Sequence, residues 1–253
     1  MISVEELRDI MRLKGLKSLG YAEKDYLIEL ALLSLSRSTR NELVFKGGTC
    51  LCKFYGLDRF SEDIDFTVRK ELDYEGTFKR IVSDMSAFGV EADLKGLKKV
   101  YNTISVTIKA KGPLFEGTPR SVCSIKADMN LRSSIDLEPE LKSFDSMYPN
   151  MPRFSLLCMP EKEILAEKVR AIMTRGKARD VYDLRFLLET GVEFDEGLVR
   201  KKLEYYGEKW SPKKFREGLR LREGVWRTEL GPLVTRVPDF AETKRIILEK
   251  LAG

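Results

Sequence analysis

The chain has 253 residues, 43% of them hydrophobic, with 45 Lys and Arg against 40 Asp and Glu for a net charge of +5. That length makes one large domain or two modest ones with a proper core, and no apolar run is long enough for a membrane span, so a cytoplasmic protein with no membrane partner is expected. The absence of histidine excludes His-based triads, His-ligated metals and imidazole general bases, which leaves carboxylate chemistry as the natural alternative.

Ser3-Val4-Glu5-Glu6 is a capping-box pattern, and the acidic helix it opens does not read as a signal peptide. Tyr26 to Leu35 has the broad apolar face of a mostly buried helix. Leu43-Val44-Phe45 reads as a short buried strand leading into the glycine turn Lys46-Gly47-Gly48-Thr49. A helix from Thr49 to Tyr55 follows, with Gly56 as its C′ residue. Phe60 to Val68 is a second strand, carrying Asp63 and Asp65. Adjacent glycines let backbone N–H groups approach phosphate oxygens. Aspartates at i and i+2 leave one face of a strand. Two hard oxygen ligands so placed suit Mg²⁺ or Mn²⁺, which takes further ligands from a triphosphate. An Asp-x-Asp alone is more simply a solvated strand end; the turn, helix and second glycine upstream favour phosphoryl or nucleotidyl transfer. Cys50 and Cys52 on this helix, with Cys123 and Cys158, form no C-x-x-C pair, so zinc-finger and thioredoxin chemistry lack support.

Lys46-Gly47-Gly48-Thr49, Tyr55-Gly56-Leu57 and Arg59-Phe60-Ser61-Glu62-Asp63-Ile64-Asp65 together resemble the AbiEii/AbiGii toxin family. These are nucleotidyltransferase-like proteins that include the MenT-type toxins of toxin–antitoxin pairs. The resemblance extends over most of the chain and is most specific from Phe45 to Thr67.

Leu72 to Phe88 reads as a helix ended by Gly89. Val100, Asn102, Ile104, Val106 and Ile108 alternate as a half-buried strand. Ser121 to Asn130 is another, with Val122, Ser124, Lys126 and Asp128 on one face and Cys123, Ile125, Ala127 and Met129 on the other. Two-metal transfer sites generally take a third carboxylate from a neighbouring strand. Asp128 is the candidate, on a strand expected beside that of Asp63 and Asp65, and the family resemblance favours it. Lys126 either neutralises phosphate or is an ordinary surface lysine. From Leu131 to Pro160 turn residues dominate, with a short strand near Phe154 to Met159. The domain boundary is placed here.

Glu161 to Thr174 is a helix in which Lys168 falls between Ile164 and Ile172, in the middle of the apolar stripe. An inward lysine is costly unless it meets an anion, or it snorkels outward along its stem. The acidic cluster of the first domain and a bound triphosphate are the two anions considered. Ala178 to Thr190 is the next helix, closed by Gly191, with Asp180 on its apolar side and Asp183 at that side's border. The family's downstream signature implies that a lysine and an aspartate here join the active centre. That role passes to Lys168 and to Asp180 or Asp183, with the choice between the two aspartates open. The remaining helices carry Lys213, Lys214 and Arg216 among Tyr205, Tyr206, Trp210 and Phe215, which are solvated helix faces or an RNA contact.

The expected fold is α/β (α+β): a nucleotidyltransferase-like domain with a small mixed sheet over residues 1–155, then a helical C-terminal domain, 156–253, completing the cleft. The expected reaction is transfer of NMP from an NTP to an acceptor hydroxyl, with metal on Asp63, Asp65 and Asp128. Lys46, Gly47, Gly48, Thr49, Ser61 and Lys168 would hold the phosphates. The resemblance implies the 3′ end of tRNA as acceptor and an antitoxin protein as partner. The rival expectations are a small-molecule or protein hydroxyl as acceptor, and a non-catalytic nucleotide-binding module.

Overall fold

The computed structural model describes residues 1–132 and 134–252 and divides into two units, each with its own core. The first takes in Met1–Gly56, Phe60–Ile135 and Pro139–Cys158; the second takes in Leu57–Arg59, Asp136–Glu138 and the chain from Met159 onward.

The first unit opens with α1 (Val4–Leu13), whose Ser3 and Glu6 form the reciprocal capping box. Helix α2 (Leu19–Ser38) is buried almost all round. Then come β1 (Leu43–Lys46), α3 (Gly47–Phe54), β2 (Asp63–Val68), α4 (Tyr74–Ser86), β3 (Glu91–Val100), β4 (Thr103–Lys111), β5 (Cys123–Asn130), β6 (Glu140–Phe144) and β7 (Phe154–Cys158). The seven strands form one mixed sheet in the order β3-β4-β5-β2-β1-β7-β6. β2 runs parallel to β5 and antiparallel to β1, while β1 runs parallel to β7.

Alternation sorts the two faces of β4, β5 and most of β2. Ile64 and Phe66, then Ile104, Val106 and Ile108, then Ile125, Ala127 and Met129 are all buried. Burying such side chains contributes roughly 1.5–3 kcal/mol each. Helix α2 packs on β5 and β7, and α4 packs on β3 and α2.

The strand expected from Val100 to Ile108 proves to be the second arm of a hairpin. Val100 ends β3 and pairs with Thr103, so Tyr101 and Asn102 form the turn. β3 itself and β6 were not anticipated. Both are edge strands of the sheet, rich in charge and largely exposed, so neither carries the hydrophobic alternation that marks a half-buried strand.

Inside this unit α2 buries two carboxylates, Asp25 and Glu29. The ammonium of Lys14, at the end of α1, lies 2.6 Å from Asp25 and 2.7 Å from Glu29. Lys53 of α3 reaches the same two carboxylates, and the Tyr148 hydroxyl donates to Asp25 at 3.0 Å. Buried charges persist only when paired, so this cluster ties α3 to α1 and α2.

The second unit is helical: α5 (Glu161–Thr174), α6 (Ala178–Glu189), α7 (Glu196–Glu204), α8 (Pro212–Arg220), α9 (Trp226–Leu230) and α10 (Phe240–Ala252). Helix α5 packs on α6, α7 and α8, and α10 packs on α6. Two short stretches from earlier in the chain complete it. Arg59 bridges Val234 through the backbone, and Asp136 pairs with the buried Lys202, which also binds Glu163. Among the described residues, no helix is long and apolar enough to cross a membrane.

Candidate active site

The turn from β1 into α3 is built around one close approach. Lys46 pairs with Asp65 across β1 and β2, and the chain turns at Gly47 with φ +75. A Cβ on Gly47 would stand 2.7 Å from Asp65 Oδ2. Only glycine meets both conditions, since L side chains avoid this φ. Lys46, as N-cap of α3, makes no side-chain cap hydrogen bond, which leaves first-turn N–H groups of α3 available to an anion. Thr49 is buried, its hydroxyl 2.9 Å from that of Ser61 and also on the Asp63 carbonyl. Both hydroxyls therefore brace the start of α3 against the entry to β2.

Asp63 and Asp65 are half-buried, alternating with the buried Ile64 and Phe66. In the parallel pairing of β2 with β5, Asp63 stands opposite Lys126 and Asp65 opposite Asp128. Directly opposed residues share a face, so the three carboxylates lie on one side of two adjacent strands, as the alternation implied. Asp128 accepts from Lys126 at 2.7 Å and from the Ser105 hydroxyl. The hydrogen bond to Asp128 raises the Lys126 pKa and outweighs desolvation. Among the described residues, no three acidic or sulfur side chains are grouped closely enough to hold a metal ion. The donors still fit a hard divalent cation in kind, being carboxylate oxygens on strands about 4.8 Å apart.

The second unit holds its own charged cluster. Lys168 is buried on α5 between Ile164 and Ile172. Its ammonium lies 3.1 Å from Asp180 and 2.6 Å from Asp183. Its carboxylate partners in the protein therefore come from α6. Asp180 also accepts two hydrogen bonds from the Arg175 guanidinium, at 3.0 and 2.9 Å. Asp183 accepts two from Arg59, at 2.6 and 2.8 Å. Burial alone would raise both carboxyl pKa values; the neighbouring cations outweigh it, Lys168 and Arg175 at Asp180 and Arg59 and Lys168 at Asp183, so both stay ionised.

Arg59 had no role in the sequence reading, although it stands within the most specific motif. Its partner lies 124 residues away, and no local pattern announces such a pair. Beside it the Tyr182 hydroxyl donates to Asp58 at 2.6 Å, so α6 holds Asp58 and Arg59 together.

In the C-terminal stretch the basic residues of α8 stay exposed while the aromatic residues pack against the protein. Lys213 and Arg216 are exposed on α8, while Lys214 pairs with Glu208. The aromatic residues face inward partners: Tyr205 donates to Asp136, the Arg170 guanidinium lies over Tyr206, and Trp210 packs between Phe194 and Phe215.

Comparison with known proteins gives these clusters a context. The family described as nucleotidyl transferase AbiEii toxin, type IV toxin–antitoxin system, matches residues 31–249. No curated protein matches the chain in sequence. Among solved structures, the nucleotidyltransferase toxin MenT4 from Mycobacterium tuberculosis is similar with a TM-score of 0.71 and 21% identity, over 100% of this chain and 89% of that one. JHP933 from Helicobacter pylori is similar with a TM-score of 0.59 and 18% identity, over 94% and 92% of the two chains. At these identities the structural likenesses speak to the fold, which is that of the nucleotidyltransferase toxins.

Proposed function

Because the chain belongs to the AbiEii nucleotidyl transferase toxin family of type IV toxin–antitoxin systems, and is a nucleotidyltransferase on that ground, we propose that it moves NMP from an NTP to a hydroxyl of RNA, at the 3′ end of tRNA. The observation that carries the site is the register that sets Asp65 opposite Asp128 with Asp63 on the same face, beside a glycine required both by its positive φ and by the closeness of Asp65.

In the proposed reaction the acceptor hydroxyl gives its proton to solvent water, its oxygen bonds to the α-phosphorus, the bond to the bridging oxygen breaks, and pyrophosphate leaves with that electron pair. Mg²⁺ or Mn²⁺, held by Asp63, Asp65 and Asp128, would supply neutralisation of charge on the attacking and leaving oxygens. The N–H groups at Gly47 and Gly48 orient the phosphates at the uncapped start of α3. Thr49 and Ser61 keep that turn in place against β2, and Lys46 adds a positive charge where the turn begins. Lys126, on the same face as the carboxylates, offers its ammonium to the phosphates. Lys168 pairs with the triphosphate, and Asp180 and Asp183 hold its ammonium in position; this assignment rests on the family resemblance.

The test is incubation with each labelled NTP, Mg²⁺ and total RNA, with and without chelator. A labelled RNA band that needs the metal supports the reading. Metal-independent labelling removes the cation, and labelling of protein or small molecules instead of RNA replaces the acceptor. An antitoxin protein is the proposed physiological partner.

A further inference from the structure

The row of residues that carries the carboxylates does not stop at Asp128. Asp128 stands opposite Ser105 on β4, and Ser105 stands opposite Lys98 on β3. One row, Asp65-Asp128-Ser105-Lys98, therefore crosses four strands on a single face. The next row runs Asp63-Lys126-Thr107-Gly96, and the one beyond it sets Ser124 against Lys109. On β4 this face is polar throughout, and every residue from Thr103 to Lys109 on it stays half-exposed in the full chain. On β4 and β5 the opposite face is the buried core side.

We propose that this open face of β5, β4 and β3 is the track on which the backbone of the RNA acceptor lies, running from Asp128 outward to Lys98. The proposal deepens the RNA-acceptor reading and rests on it. Three observations select a phosphodiester backbone over other occupants. First, Lys98 makes no ion pair among the described residues, and Lys109 makes none either although Asp93 stands opposite it, because Asp93 is taken by Lys95; Lys111 and Lys126 are each paired with a neighbouring acid. The outward part of the face therefore keeps uncompensated positive charge, as a polyanion requires. Second, Ser105 and Thr107 supply hydroxyls between the lysines. Such groups hydrogen-bond to phosphate and sugar oxygens without selecting a base. The face lacks the apolar centre that a protein interface would need. Third, the length is right: three inter-strand steps from Asp65 to Lys98 span about 14 Å, roughly four stacked nucleotides of one strand.

The hairpin tip extends the track. Tyr101 has φ 52, a costly conformation for a bulky side chain, and it is 88% exposed. A ring held out in this way offers a face on which an unpaired base stacks.

The double variant Lys98→Glu/Lys109→Glu tests the track, with Lys98→Ala/Lys109→Ala as the milder version should charge reversal disturb the sheet. Neither lysine belongs to the proposed catalytic machinery. The expected result is a KM for RNA raised about tenfold or more, an unchanged KM for NTP, and a salt dependence of RNA binding shallower by about 1.4, two single-strand phosphate contacts. Tyr101→Ala should raise the RNA KM severalfold without changing the salt slope. A folded double variant with wild-type RNA KM and salt slope overturns the track while leaving the RNA-acceptor reading standing. Failure of the wild-type protein to label any RNA, whatever the NTP, overturns both.

Discussion

Arg59 and Asp183 form a two-pronged ion pair that is almost completely buried, the side chains 1% and 0% exposed. The pair joins the motif that precedes the carboxylate strand to a helix more than a hundred residues later. Removing one partner of a buried ion pair costs up to about 3–5 kcal/mol. Arg59→Leu and Asp183→Asn should both lose stability in denaturant titrations, the first by the larger amount because it takes both guanidinium hydrogen bonds from an ionised carboxylate and leaves it the Lys168 ammonium alone. A loss under about 1 kcal/mol for Arg59→Leu would mean that the pair is not buried in solution.

Lys168 presents a different balance. Its two carboxylate partners each keep an arginine when the ammonium is removed, Asp180 on Arg175 and Asp183 on Arg59. Lys168→Met should therefore cost only about 2 kcal/mol, less than the loss of Arg59. Its transfer rate per folded molecule should fall roughly 100-fold or more if the ammonium serves the triphosphate. A variant with reduced stability but normal turnover would confine Lys168 to a structural role.

Gly47→Ala separates the turn from the fold in the opposite sense. The added methyl meets the Asp65 carboxylate, and the positive φ adds roughly 1–2 kcal/mol of backbone strain. Activity should fall far more than the unfolding midpoint. Normal transfer by this variant would show that the approach of Gly47 to Asp65 is dispensable.

Asp63→Asn and Asp65→Asn keep shape while removing charge from two half-buried positions on β2. Each should lower transfer roughly 100-fold or more with little change in thermal unfolding. Full activity in both would end the carboxylate-site reading.

The pH dependence of stability follows from the buried aspartates. Burial opposes ionisation at Asp25, Asp180 and Asp183, but Lys53 and Lys14, Lys168 and Arg175, and Arg59 and Lys168, respectively, prevail and hold all three below the usual range. A depressed folded pKa gives stability that is fully present above the unfolded value, about 3.9, and is lost as pH falls through the folded one. With no histidine in the chain, no imidazole titration is superimposed on this. The unfolding midpoint should be nearly flat from about pH 5 to 8 and drop steeply below about pH 4. Asp183→Asn should have a shallower acid limb than the wild type. A slope in the wild type centred between pH 6 and 7 would contradict the assignment.

What the sequence disclosed was local and periodic. The capping box at Ser3, the left-handed glycines 56, 89 and 191 that close their helices, and the alternation on β5 all express interactions within a few residues. The common face of Asp65 and Asp128 follows from the same period of two. Lys168 was legible as inward-facing because helical spacing demands it, yet its partners were not, since an unpaired lysine on a stripe does not say which carboxylate it meets. The edge strands β3 and β6 lack a buried face to imprint a pattern. Arg59 looked like one more charge in a charged motif; only the fold brings α6 to it.

The dependence on distant segments has a consequence for synthesis. Asp183 follows Arg59 by 124 residues, which at about 5–20 residues per second takes roughly 6–25 s to translate. Throughout that interval the segment leading into Ser61 and Asp63 has no α6 to grip it, and Asp136 likewise waits for Lys202. The second unit cannot be completed from its contiguous C-terminal stretch alone, because it takes three residues from each of two earlier places in the chain. A nascent or truncated toxin is thus left with an unclamped segment ahead of its carboxylate strand until α6 and α7 have been made.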